Sequence, residues 1–176
     1  LARGGMSTVY RGLDVRLVFY RGFAECKASR WMHSAAELHK AMRAVVCVGG
    51  ETQIERVLEH AIAESKKQRV HALVFVGDAV EENVDRLCRL AGELALLGTP
   101  LVVFHEGGDP HAGAAFRQVA TLSRGAYLSF DLASADRLKA LLAAVAVYAA
   151  GGYRALADYS AKQGGDVKLL TAQLKG

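Results

Sequence analysis

Apolar and polar positions repeat along this chain in two alternating periods, and each change of period marks an element. "LDVRLVFY" (13–20) is rich in β-branched and aromatic residues, and Arg21-Gly22 leads tightly into "FAECKAS" (23–29). The two stretches predict an antiparallel strand pair. "SAAELHKAMRAV" (34–45) sets Ser34 three residues before Glu37, a capping box that opens a helix. Gly49-Gly50 interrupts the chain before a second helix from about Gln53 to Lys66. "HALVFVGD" (71–78) is an unbroken apolar run, as in a strand buried on both faces, and it ends in a carboxylate. A helix over 83–97 carries Val84, Leu87, Leu90, Ala91 and Leu94 on one stripe. The strand "LVVFHEG" (101–107), the turn "GGDPHAG", a helix over 112–123, a strand over 126–131 and an Ala/Leu helix over 135–150 follow. Gly151-Gly152 stops that helix, and a partly helical tail remains.

Strands alternating with helices at this spacing imply parallel strands joined by right-handed crossovers. The predicted class is α/β: a three-layer, doubly wound, Rossmann-like sheet, mostly parallel, with one antiparallel edge strand. In such sheets ligands collect beyond the carboxyl ends of the strands. Gly49 and Gly50, Asp78 with Glu81 and Glu82, and Glu106 through Asp109 all map to that edge. The expected organisation is a remnant segment over 1–12, the α/β domain over 13–150 and a helical extension over 151–176.

Composition narrows the functional classes. A chain of 176 residues, 52% hydrophobic and with two prolines, is long enough for a single core and too apolar to be disordered. Its net charge of +4 is scattered, and Lys66-Lys67-Gln68-Arg69 sits at a helix end where cations complement the dipole, so no nucleic acid is needed to explain it. Cys26, Cys47 and Cys88 have no zinc or redox spacing and read as reduced thiols of a cytoplasmic protein. The longest apolar run, "ALLAAVAVYAA" (140–150), falls short of the roughly 18 residues a membrane helix needs, so no membrane span is expected.

Three chemistries compete. A nucleotide site lacks both glycine-rich phosphate motifs, and Pro110 sits where cradling amides would be required. A hydrolase would need a nucleophile beside a base, yet Ser129 lies within a strand and not on a nucleophile elbow. His105, next to Glu106 at a strand end, is the best-placed histidine, and a supporting role suits it better than a catalytic one. The third is a hard-cation site. Thr52 stands between a turn and a helix, Asp78 ends the central buried strand, and a hydroxyl with a carboxylate suits Mg²⁺ or Mn²⁺. Capping of the two following helices explains the same two residues equally well.

Gly49-Gly50-Glu51-Thr52-Gln53-Ile54 ahead of an Ala/Leu helix, followed by a buried strand ending in Gly77-Asp78, resembles the von Willebrand factor type A (VWA) domain. "LVFYRGFAECKASRW", "GGETQIERVLEHA", "ALVFVGDAVEEN" and "AVAVYAAGG" are similar to a group of uncharacterised bacterial proteins with that fold. The resemblance implies strand order 3-2-1-4-5-6 and a non-catalytic protein-interaction module with a metal-ion-dependent adhesion site. There Thr52 and Asp78 would hold Mg²⁺ (or Mn²⁺), and an exposed carboxylate of a partner protein would complete the shell. Gly49, Gly50 and Gly77 would shape the loops, and Glu81, Glu82, His105, Glu106 and Asp109 would stand behind the ligands. The sequence departs from the family in having no D-x-[ST]-x-S segment before Thr52; Ser7 and Thr8 are the nearest substitutes. With residues 1–12 too few for the family's first strand and helix, the expectation is an amino-terminally truncated domain with two central strands unpaired or paired with each other, and hence prone to self-association. A metal-free interaction domain of the same fold is the alternative, and a small hydrolase or nucleotide-binding enzyme using His105 and Asp78 the third reading.

Overall fold

The computed structural model describes residues 5–46, 48–130 and 135–174. Six strands form one mixed sheet: β1 (Gly5–Arg11), β2 (Asp14–Arg21), β3 (Glu25–Ala28), β4 (Ala72–Gly77), β5 (Leu101–Glu106) and β6 (Ala126–Phe130). Their order across the sheet is β3-β2-β1-β4-β5-β6. Helices α1 (Ala35–Ala44), α2 (Ile54–Lys67), α3 (Val84–Leu96), α4 (Pro110–Leu122), α5 (Ala135–Ala161) and α6 (Gly165–Gln173) cover its two faces.

The expectation that the central position would be empty is corrected here. β1 fills it, antiparallel to β2 on one side (Gly5↔Tyr20 through Arg11↔Asp14) and to β4 on the other (Met6↔Val76 through Tyr10↔Ala72). An antiparallel neighbour needs only a two-residue loop, whereas a parallel one needs a crossover of a dozen residues or more. Gly12 and Leu13 supply that loop, with Gly12 at φ 62°, where a glycine at the first loop position suits the strand twist. The Arg11–Asp14 ion pair (3.0 Å) closes it. The described part of the sheet therefore has no unpaired inner edge. β4, β5 and β6 run parallel, as expected, and β3 is the antiparallel edge strand.

Strand alternation divides the core into two layers. Val9, Val18, Leu73, Phe75, Leu101 and Val103 face α2, α3 and α4; Tyr10, Leu17, Val74, Val102, Phe104 and Leu128 face the layer of α5 and α6. α1 packs beside β2 on this second side through partly buried Leu38, Ala41 and Met42, with no residue of its own fully buried. α4 begins at Pro110, two residues earlier than expected, because Asp109 caps it and proline is favoured in the first turn. The break expected at Gly151-Gly152 is present at Gly152 (φ 70°, ψ −168°), beyond which α5 resumes. By length and composition alone Asp136–Ala161 would suffice to cross a membrane; here it is broken at Gly152 and lays Leu141, Ala144, Val145 and Ala149 against the sheet. Cys26 and Cys88 are free thiols, and Cys47 lies outside the described residues.

Val9 is wholly buried at the middle of β1. Val9→Ala is expected to cost about 2 kcal/mol in denaturant unfolding, between typical Ile→Val and Leu→Ala losses. A loss below about 0.5 kcal/mol, the size of an ordinary surface change, would show that β1 does not hold the centre of the sheet.

Candidate functional site

The carboxyl ends of β2, β4, β5 and β6 share one edge of the sheet, and the residues expected to form a site gather there. Thr52 and Glu81 are joined reciprocally. The Thr52 backbone N–H donates to Glu81 Oε2 (2.9 Å), and the Glu81 backbone N–H donates to Thr52 Oγ1 (3.0 Å). Glu82 reaches across to the amino end of α2, where its Oε2 accepts from Ile54 N (2.6 Å) and its Oε1 from Glu55 N (2.8 Å). A helix start leaves its first N–H groups without partners and carries a partial positive charge, so a carboxylate is well placed there. The cap comes from another loop because Gln53, at the capping position, makes no such bond. Instead Gln53 Nε2 donates to the carbonyls of Arg21 (3.3 Å) and Gly22 (3.2 Å).

The capping reading of Thr52 and Asp78 changes as a result. Thr52 does not cap its own helix; its hydroxyl serves the loop after β4. Asp78 does not cap α3, because Asn83 does, accepting from Arg86 N at 3.0 Å. Asp78 is exposed beyond the end of β4. Asp109 caps α4 through His111 N (2.8 Å) and Ala112 N (3.2 Å). Glu106 is half-buried at the end of β5. Ser7 and Thr8 are not brought to the edge as substitutes. Ser7 donates to the Val18 carbonyl inside the sheet (3.3 Å), and Thr8 is buried on the strand next to it.

The glycines act by close approach. A Cβ on Gly50 would stand 2.0 Å from the Gly22 carbonyl oxygen, so only glycine lets the loop before α2 lie on the β2–β3 turn. A Cβ on Gly77 would meet the Phe75 ring at 2.6 Å. Gly22 N donates to Val48 O (3.2 Å), the Arg21 guanidinium to Val46 O (3.0 Å) and Arg56 to Ala24 O (2.6 Å), which fastens the turn to the loop. Gly49 is exposed in the same loop.

His105 is buried, its Nδ1 2.8 Å from the Tyr127 hydroxyl and its ring edge-on to Phe116 at 5.2 Å. Burial holds its pKa below the usual histidine value, against opposing pulls from the Asp78 backbone and the Asp109 charge. Burial also raises the Tyr20 phenol, and the charges of Glu82, Asp78 and Glu81 add to it, so these three carboxylates share one negative field at the edge.

Among the described residues no group of three or more His, Cys, Asp or Glu side chains is arranged to hold a metal. The Thr52 hydroxyl accepts a backbone N–H and both Glu82 oxygens accept helix N–H groups, so these donors serve the facing loops.

Sequence reasoning missed the apolar trio at this edge. Phe23 (77% exposed), Val46 (63%) and Val48 (47%) project from the turn and the loop that the Gly22–Val48 and Arg21–Val46 bonds hold together. The signal was available: "VVCV" after a helix has neither helical nor strand period, and of its described residues only Val45 packs on the core. The fold defined by this geometry is a mixed α/β sheet in the strand order that the VWA resemblance implies. No protein-family profile and no curated protein matches the chain. A solved structure described as the SpRpn10 VWA domain is similar at 18% identity and a TM-score of 0.48, over 63% of this chain and 61% of that one. The match thus spans less than two thirds of that structure.

Thr52→Ala removes the hydroxyl that accepts from the Glu81 N–H and is expected to cost about 1 kcal/mol; Glu82→Ala removes a cap and is expected to cost about 1 kcal/mol. Urea unfolding of each variant checks both. Above the unfolded histidine pKa of 6.5, His105 is neutral in both states. Below it the unfolded chain takes up a proton that the folded chain resists, so stability is lost as pH falls from 6.5 through the depressed folded value. His60 and His71 are depressed for the same reason and add to the slope. His105→Phe should flatten part of it in unfolding measured from pH 7.5 to 5; an unchanged slope would show that His105 is not the resisting group.

Proposed function

We propose that this chain is a non-catalytic protein-interaction domain that docks its partner at the carboxyl edge of the sheet without a metal ion. The observation that carries the reading is the exposed trio Phe23, Val46 and Val48, on a turn and loop tied together by the Gly22–Val48 and Arg21–Val46 bonds, at the sheet edge where Glu51 and Asp78 are also exposed. Exposed apolar groups on a rigid frame lose little conformational entropy when covered. No lysine or arginine among the described residues pairs with Glu51 or Asp78, so the charge there is available to a partner. The partner best suited is a segment that sets a lysine or arginine next to an aliphatic or aromatic side chain.

The second reading keeps the adhesion-site logic, with Mg²⁺ or Mn²⁺ on Thr52 and Asp78 and an acidic partner residue completing the shell. Its support is the negative field of Asp78, Glu81 and Glu82. That field would need a cation between it and a carboxylate. In either reading the domain binds and does not catalyse, and buried His105, hydrogen-bonded to Tyr127, serves to hold β5 and β6 together.

Fluorescence anisotropy with a labelled Leu/Lys helical peptide, in EDTA and in Mg²⁺, separates the two. The expected result is salt-sensitive binding unaffected by EDTA and weakened about tenfold (about 1.4 kcal/mol) in Phe23→Ser/Val48→Ser. Binding unchanged in that double variant, or absent from the parent chain, would refute docking at this edge. A Mg²⁺-dependent rise in unfolding temperature that disappears in Asp78→Ala would establish the second reading instead.

A further inference from the structure

At the opposite edge, where the parallel strands begin, a cavity of about 360 Å³ opens between the approach to β5, the end of α4 and the bend of α5. Arg124, Tyr148 and Tyr153 supply its polar and aromatic walls, and Gly98, Pro100 and Leu174 are among the other lining residues. This volume is at the small end of the range for ligand pockets, enough for a single ring with a head group.

Arg124 is the one non-glycine residue with a positive φ (57°) among the described residues. It follows the α4 cap, Ser123, and its N–H donates to Thr121 O (3.0 Å) as the helix closes, while Gly125 N donates to Ala120 O (2.8 Å). Helices often end in this left-handed turn, and glycine is preferred there because a Cβ is strained. An arginine in that place carries a conformational cost, and its guanidinium makes no ion pair or hydrogen bond within the described residues. Strain held at a cavity wall by an uncommitted charged side chain points to a ligand.

The remaining walls agree on the ligand's character. Gly152 breaks α5 between Tyr148 and Tyr153, which is how residues five apart on one helix both come to line one cavity. Burial raises the Tyr148 phenol and the nearby positive charge of Arg69 offsets part of that rise; no carboxylate figures among the groups acting on it. Tyr148 thus stays a neutral hydrogen-bond donor in a locally positive region. The Ser123 hydroxyl is already committed, accepting from Leu101 N (3.1 Å) and donating to Ala120 O (2.9 Å). A guanidinium pairs with a carboxylate or phosphate through two parallel hydrogen bonds, and phenol rings pack well on a flat ring.

We infer that this cavity binds a small aromatic anion, its acid group on Arg124 and its ring against Tyr148 and Tyr153. The site is separate from the carboxyl edge and stands or falls independently of the docking reading.

The test is a calorimetric titration of the full chain with benzoate and with phenyl phosphate, beside benzyl alcohol, which lacks the charge, and acetate, which lacks the ring. At least one aromatic anion is expected to bind tenfold or more tighter than either control, and comparison of the two ranks the head groups. Arg124→Gly should raise the unfolding temperature, since glycine accepts the left-handed turn, and at the same time lose tenfold or more in anion affinity. Tyr153→Leu, at a partly exposed position, should fold normally and bind more weakly. A residue of purely structural importance would not separate stability from binding in this way. Equal affinity in Arg124→Gly and the parent, or no saturable binding of either aromatic anion by the parent at millimolar concentration, would overturn the proposal.

Discussion

Everything in this fold depends on the pairing of β1 along both of its edges. The β2–β3 hairpin and the parallel β4–β5–β6 half have no other strand between them, and β1 supplies the hydrogen bonds that make them one sheet. Its side chains follow the same alternation as its neighbours, with Val9 toward α2–α4 and Tyr10 toward α5 and α6, so it also joins the two core layers. Reversing a central strand relative to a doubly wound sheet has one further consequence. The loop at its carboxyl end, Gly12-Leu13, lies at the opposite edge from the ends of β4 and β5. The position from which a first-loop ligand set would approach Thr52 and Asp78 is therefore occupied by the start of β1.

The carboxyl edge shows how the same residues can serve a binding site or hold a structure. Thr52, Glu81 and Glu82 are hydroxyl and carboxylate groups at a strand edge, which is the chemistry of a cation site. Here each is used on backbone N–H groups of the facing loop: two at the start of α2, and one each at Thr52 and Glu81. Such bonds are short range, charge-assisted in three of the four cases, and half-sheltered from water, so they fix the loops well. A fixed loop can present exposed Phe23, Val46 and Val48 in a constant arrangement, which connects the local hydrogen bonding to the proposed docking surface.

Much of this was legible in the chain. The unbroken run 72–77, the stripe on α3 and the Ser34 cap of α1 each depend on local period or local chemistry, and each took the form expected, except that Glu37 accepts from His33 N where a capping box would use Ser34 N. β1 was missed because "GMSTVYR" alternates weakly and has no helix after it, so the crossover logic of a parallel sheet gave it no place. The start of α4 was set two residues late because "GGDPHAG" read as a turn, although Asp109 caps a helix whose first residue is Pro110. At the site, Gly50 was legible as a loop former, but its reason was not, since the Gly22 carbonyl that excludes a side chain lies 28 residues away in sequence.

The sequence by itself determined most of the strands and helices after residue 12, that they layer as α/β, and which polar residues reach the carboxyl edge, because hydrophobic period and turn chemistry act over a few neighbours. Tertiary structure alone decided the direction of the central strand, the partners of Thr52 and Glu82, and the meeting of Arg124 with Tyr148 and Tyr153. These depend on contacts between residues far apart in the chain, and a hydroxyl, a carboxylate or a guanidinium carries no mark in sequence of which distant group will satisfy it.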